Sequence, residues 1–180
     1  IEPDYIIFPE DSRLLDQSRS TRVNLRELKQ QYGNNKSLVV DSGRVVENDK
    51  VVLQAALYDS NTNGVAVAQK RYLVPQGEYM PTVYRWLYSA IGYGDLVSFL
   101  DDRLSYQVGD KISQSDFTEV MPAVLFCFES TDPRGVRTLM NEHPEAPFVA
   151  HPISHAWFHQ PESLWQQFDA MLRTQARWND

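Results

Sequence analysis

The chain has 180 residues, enough for one domain with a real core, and an ordinary hydrophobic share of 42%. Its formal charge of −7 disfavours nucleic acid or an anionic membrane surface as a partner held by general electrostatics. The single cysteine, Cys127, excludes an internal disulfide, and no apolar run approaches the ~20 residues of a membrane span.

Tyr5 to Phe8 is a short apolar run stopped by Pro9, which predicts a buried strand ending at Glu10. Arg13 to Arg26 is the one dense basic stretch and reads as the solvated face of a helix. After Ser20, apolar spacing at Val23, Leu25 and Leu28 is consistent with a helix closed by Gly33. Leu38–Val40 and Val51–Tyr58 are predicted strands. Asn61-Thr62-Asn63-Gly64 is a hairpin turn, because Asn and Gly accept positive φ at little cost. The chain returns as Val65–Gln69, with Lys70 near the strand end, and Pro75, Gly77 and Pro81 punctuate the loop that follows. Val83, Leu87 and Ile91 mark a short helix ending near Gly92. Gly92–Ser115 is polar and fits a lid or an edge hairpin. Val120–Phe126 is a buried strand that delivers Cys127. Pro133–Met140 suits a helix opened by Thr131 or Asp132, Phe148–Ile153 a strand, and Leu164–Leu172 a helix. Strands alternating with helices favour a layered α/β sheet in a single domain, residues 1–180, with no internal repeat.

Three predicted strand ends therefore carry an acid (Glu10), a cation (Lys70) and a thiol (Cys127). Strand ends of α/β sheets are where sites gather. A thiol attacks as thiolate, so an acid–base partner and a nearby cation are what activate it, and a lysine can also hold a developing oxyanion. Taken singly, each residue has a plainer reading: a small core cysteine, a solvated lysine and a solvated glutamate.

The words around them narrow the choice. Ile7-Phe8-Pro9-Glu10 resembles the glutamate motif of carbon–nitrogen hydrolases, the nitrilase superfamily. Lys70-Arg71-Tyr72-Leu73-Val74-Pro75-Gln76-Gly77-Glu78-Tyr79-Met80-Pro81 resembles the lysine segment of that superfamily, most of all in its apolipoprotein N-acyltransferase branch. Leu125-Phe126-Cys127-Phe128-Glu129 resembles the nucleophile segment. Ala156-Trp157-Phe158 with Trp165-Gln166-Gln167-Phe168 resembles a further stretch of the same branch. The likeness runs from Glu10 to about Arg173.

This resemblance implies a nitrilase-type α-β-β-α sandwich and a Glu10-Lys70-Cys127 triad. Cys127 would attack an ester or amide carbonyl and form a thioester, Glu10 would act as general base, and Lys70 would hold the oxyanion. Glu78 and Glu129 would be supporting residues, and Tyr79, Phe128, Ser154, His155 and Trp157 would bind substrate. Neither metal nor organic cofactor is implied. In the acyltransferase branch the acyl donor is a phospholipid and the acceptor is the amine of a lipoprotein's terminal cysteine, at the periplasmic face of a bacterial inner membrane. Tyr79, Met80, Tyr84, Trp86 and Leu87 would then approach lipid; the plainer reading is an amphipathic helix packed on the sheet. The branch's Asn-Asp before Ala-Trp-Phe is Ser154-His155 here, its aromatic before Gly-Glu-Tyr is Gln76, its Cys-Tyr-Glu is Cys-Phe-Glu, and Asp132 replaces an aromatic before Pro133. These departures spare the triad and bear on donor and acceptor. They point to a divergent relative, with conjugal-transfer proteins as one setting.

The family fold has elements before Glu10 and after the last helix that this sequence lacks, so either the chain is a fragment of a longer one or rearrangement or a partner chain replaces them. The resemblance is compatible with flanking membrane helices and with a homodimer through sheet faces, and the alternative location to the periplasmic face is cytoplasmic. His151, His155 and His159 are spaced four apart, as metal ligands on a helix would be, but Pro152 argues against a helix, and the group reads as site rim. The alternatives to an acyltransferase are a soluble small-amide amidase, or a nitrilase-fold binding or assembly module without turnover. A working site predicts a depressed Cys127 pKa. It also predicts that Glu10, Lys70 and Cys127 converge to hydrogen-bonding distance.

Overall fold

The computed structural model describes residues 4–14, 27, 30–31, 38–59, 65–103, 106–109, 112–115, 121–154 and 162–179. The predicted helix closed by Gly33, the Asn61–Gly64 turn, and the Ala156-Trp157-Phe158 word lie wholly or mostly outside these residues.

The protein is mixed α/β. Strands β1 (Tyr5–Ile7), β2 (Leu38–Glu47), β3 (Lys50–Asp59), β4 (Val65–Gln69) and β5 (Ile112–Ser115) form one sheet in sequence order. β1 runs parallel to β2, and the other pairs are antiparallel. β6 (Ala123–Val124) and β7 (Val149–Ala150) form a short parallel pair. Helices α1 (Thr82–Ala90), α2 (Gly94–Arg103), α3 (Pro133–Glu142) and α4 (Glu162–Trp178) accompany the strands. A 3₁₀ turn, Cys127–Thr131, links β6 to α3.

The core joins the two sheets. Leu38 and Val40 of β2, Leu53, Ala55 and Leu57 of β3, and Ala66 of β4 pack with Val124, Phe126 and Ala150. In β3 the period-2 side-chain alternation is visible, with Leu53, Ala55 and Leu57 buried and Gln54, Ala56 and Tyr58 half-buried. This packing sets Phe126, and therefore Cys127 after it, against the sheet that carries Glu10 and Lys70.

Several elements differ from the sequence reading. The Tyr5–Ile7 strand forms but is not buried, with Tyr5 and Ile7 exposed at the sheet edge. β2 continues for ten residues rather than stopping at Val40, because all of them pair with β3 around a tight Asn48-Asp49 turn. Both turn residues have positive φ, 51° and 62°, a conformation Asn and Asp adopt more readily than most residues. The polar run Asp41-Ser42-Gly43-Arg44 hid this strand, and Asp41 and Ser42 are in fact buried. Within Gly92–Ser115 a helix, α2, forms with Asp95 in its first turn, where an acid complements the helix dipole, and Val97 turned inward. The end of that stretch is an edge strand, β5, on β4. The Val120–Phe126 and Phe148–Ile153 runs shrink to two-residue ladders, although the hydrogen bonding continues past them through Leu125 N–H to Ala150 C=O and Cys127 N–H to Pro152 C=O. Among the described residues, no helix is long and apolar enough to cross a membrane.

Phe126 has no exposed surface. Phe126→Ala is expected to lower stability by about 3–5 kcal/mol. The exposed Val46→Ala should stay within about 0.5 kcal/mol. Urea unfolding midpoints of the two variants check this.

Candidate functional site

Glu10 sits in a turn just past β1. Phe8 N–H donates to Val40 C=O, Ser12 N–H to Pro9 C=O, and Arg13 N–H to Ser42 C=O. Asp11 N–H donates to the Ser42 hydroxyl at 3.0 Å, and the Ser12 hydroxyl donates to Asp41. Asp11 and Arg13 take positive φ in this turn, 58° and 53°. The buried polar pair Asp41-Ser42 thus fixes the turn that presents Glu10, and this explains a polar stretch in the middle of a core strand.

Lys70 follows β4 and has no exposed surface. Its ammonium donates to Glu10 Oε1 at 3.0 Å and to Glu78 Oε1 at 2.6 Å. Glu78 reaches it because Val74–Tyr79 curls back. Gln76 N–H bonds Tyr79 C=O, Glu78 N–H bonds Val74 C=O, and Gln76 has φ 63°. The other oxygen of Glu78 accepts from Val74 N–H at 2.8 Å. The loop after Lys70 therefore folds one of its own carboxylates onto the lysine.

Cys127 is buried, with the Glu10 carboxylate and the Ser154 backbone close enough to its sulfur to shift the thiol's titration. It adopts φ 35°, a region that disfavours a residue with a Cβ. Its neighbours hold it there. Its N–H donates to Pro152 C=O, and its carbonyl accepts from the Ser130 hydroxyl at 2.9 Å and faces His151 Nε2 at 3.0 Å.

Glu129 ties the cysteine and lysine segments together. One carboxylate oxygen accepts from the backbone N–H groups of Arg71 (2.6 Å) and Tyr72 (2.9 Å), and the other from Phe126 N–H (2.8 Å). A single buried side chain thus locks the residue before Cys127 to the two residues after Lys70. Burial pushes the Glu129 carboxyl up, against those three amide bonds.

The electrostatics follow from burial. Desolvation pulls Lys70 down, but the charges of Glu10 and Glu78 outweigh it and hold the ammonium above its ordinary value. Burial raises Glu10 despite Lys70 beside it. Burial, and then the charge of Glu10, push the Cys127 thiol up to about 12, with Lys70 opposing. A depressed thiol pKa, the mark expected of a working site as against a core cysteine, is not what the structure gives, since desolvation and a carboxylate together outweigh one ammonium.

Of the other sequence candidates, Tyr79 stands at the surface beside Glu78, Phe128 is half-buried in the 3₁₀ turn, and the Ser154 backbone lies near the Cys127 sulfur. His155 and Trp157 lie outside the described residues. His151-Pro152-Ile153-Ser154 is not helical, so His151 is not on a helical face. Sequence reasoning missed Ser42 and Asp41, which anchor the Glu10 turn. A shallow, open pocket lies on Glu10 and Glu78, with Arg44, Leu53 and Tyr106 in its wall. A second cleft lies between β4 and α3; it touches Glu129 and is not lined by Cys127, Glu10 or Lys70.

No family model matches the chain. No curated protein matches it. Among solved structures, the glutamine-dependent NAD+ synthetase from Acinetobacter baumannii, in complex with adenosine diphosphate, is similar at 17% identity with a TM-score of 0.48. The match covers 84% of this chain and 26% of that one, and at that level it carries no argument about function.

Two predictions come from this geometry. Glu129→Ala strands three backbone donors and should cost on the order of several kcal/mol, with Glu129→Gln losing less, as read by chemical denaturation. Thiol labelling should be slow near neutral pH and rise about tenfold per pH unit toward about 12. Glu10→Gln removes a charge that disfavours thiolate, so it should label faster than wild type at a given pH. Lys70→Met removes a charge that favours thiolate and should label more slowly. An inflection near neutral pH in the wild type would contradict this account of the thiol.

Proposed function

We propose that the chain is a nitrilase-type domain that transfers or hydrolyses acyl groups through a thioester on Cys127. The observation that carries this reading is the fully buried Lys70 ammonium bound to two carboxylates, Glu10 at 3.0 Å and Glu78 at 2.6 Å, with buried Cys127 near enough for Glu10 to raise its thiol pKa. A structural lysine rarely sits without exposure beside a thiol and its base. The expected convergence of the three strand ends supports the same reading.

The chemistry suits an ester or amide carbonyl. Because the resting thiol is neutral, its proton passes to Glu10 as the sulfur attacks. The Lys70 ammonium stabilises the oxyanion of the tetrahedral intermediate. Glu10 then returns the proton to the leaving alcohol or amine, and the thioester remains. An amine or water attacks next, Glu10 takes its proton, and the released sulfur regains a proton from Glu10. Glu78 keeps the lysine charged and aimed without joining the proton path.

The Leu-Val-Pro and Gly-Glu-Tyr words after Lys70 support the lipoprotein acyltransferase branch over a small-amide amidase. In that reading the donor is a phospholipid, the acceptor is a terminal amine, and the site works at the periplasmic face of an inner membrane. One observation favours a second reading, a binding module of the same fold without turnover: Cys127 is only 6% exposed and its pKa is pushed up to about 12.

Intact-mass spectrometry after incubation with a reactive acyl ester or with phospholipid separates the two. An adduct on wild type is expected, absent in Cys127→Ala and reduced by on the order of a hundredfold or more in rate in Glu10→Gln and Lys70→Met. A wild-type chain that gains no mass with either donor would favour the binding module.

A further inference from the structure

The segment Tyr106–Gly109 crosses the site from a part of the sequence that carries no chemical motif. Tyr106 pairs with Val51 at the start of β3, and its N–H bonds Glu78 C=O at 3.3 Å. Gln107 N–H donates to Val51 C=O at 2.8 Å. Gly109 N–H donates to the carbonyl of Lys70 at 2.8 Å, while Lys70's own N–H donates to Leu53 C=O at 2.9 Å. The lysine backbone is therefore pinned from both sides, by β3 on one and by this segment on the other. The same segment also reaches Glu78, the lysine's second partner.

Gly109 is what permits the approach. It is buried, and a Cβ there would lie 2.3 Å from Gln69 Cβ, 2.8 Å from Gln69 Oε1 and 3.0 Å from Val52 Cγ1. The Gln69 side chain does not swing aside freely, because its amide donates to Glu47 and Gln54, both at 3.1 Å. The requirement for glycine is thus one of space, set by a side chain next to Lys70 in sequence.

We propose that Tyr106–Gly109 is a strap that sets the position of the Lys70 ammonium, with Gly109 as the positioning residue that lets it close. Any side chain at 109 lifts the strap, frees the Lys70 carbonyl and lets the ammonium drift from Glu10 and Cys127. The catalytic meaning of this strap rests on the thioester reading; its effect on the thiol does not.

The test is a cycle of wild type, Gly109→Ala, Gln69→Gly and the double variant, in which removal of the Gln69 side chain makes room for the new methyl. Thiol labelling at about pH 9 and the rate of acyl-adduct formation are both read. Lys70 favours the thiolate, so its displacement should slow labelling of Gly109→Ala by about threefold or more, with the double variant returning to the Gln69→Gly rate. Loosening of the fold alone would expose the thiol and speed labelling. Labelling of Gly109→Ala as fast as or faster than wild type overturns the proposal. If wild type forms no adduct, the thioester reading fails while labelling still decides the strap. Should Gly109→Ala not fold, amide exchange on the wild type decides. Protection of Gly109 N–H comparable to that of Lys70 N–H supports the strap, and exchange at the rate of an open loop overturns it.

Discussion

The structure turns on one ammonium group removed from water. Burying a charge without partners costs several kcal/mol, and a lysine so placed would lose its proton. Lys70 keeps its proton because two carboxylates meet it, and neither belongs to a neighbouring strand position. Each arrives on a dedicated piece of backbone. The Glu10 turn is bolted to Ser42 and Asp41, and the Glu78 loop closes on Val74. Local strain is consistent with this demand: Asp11, Arg13 and Gln76 all take positive φ around the two acids. Glycine would adopt those angles more easily, so the surrounding hydrogen bonds must outweigh the conformational cost.

Glu129 carries the same logic to the thiol. A carboxylate that spends both oxygens on three backbone amides is unavailable for acid–base chemistry, so its role is structural. It fixes the distance between the strand that ends in Lys70 and the turn that begins at Cys127. The left-handed Cys127 backbone, of order 1–3 kcal/mol less favourable than an ordinary one, persists because its N–H and C=O are both bonded.

The strand ends bearing Glu10, Lys70 and Cys127 were legible because apolar runs stopped at Pro9 and just before Lys70 and Cys127 in the sequence. Their meeting was legible only through the resemblance of the surrounding words, since spacing of 60 residues between Lys70 and Glu10 says nothing about contact. What escaped was polar or small. Asp41 and Ser42 broke the apolar pattern of β2, and their burial serves a turn thirty residues away in sequence. Gly109 gave no local signal, because the atom that excludes a side chain there belongs to Gln69. The thiol's pKa is not legible in sequence for a related reason. A cation and a base nearby point toward activation, but desolvation depends on how tightly the core closes over Cys127, and sequence pattern does not report that.

That closure has a mechanistic consequence. If the chain works through a thioester, as proposed, a thiol neutral at rest makes proton removal and carbon–sulfur bond formation one event, and the Glu10 carboxylate that raises the thiol pKa would also receive the proton. Charge would then move from Glu10 through sulfur to the carbonyl oxygen, beside one ammonium. An ammonium free to swing would gain most from following the ground-state carboxylate. In the proposed mechanism, one held by Leu53, Glu78 and the backbone at Gly109 would not follow, and so would contribute more as negative charge builds on the substrate. On that proposal, rigidity of the lysine is what would turn a buried ion pair, a weak source of stability in itself, into a device for stabilising a transition state.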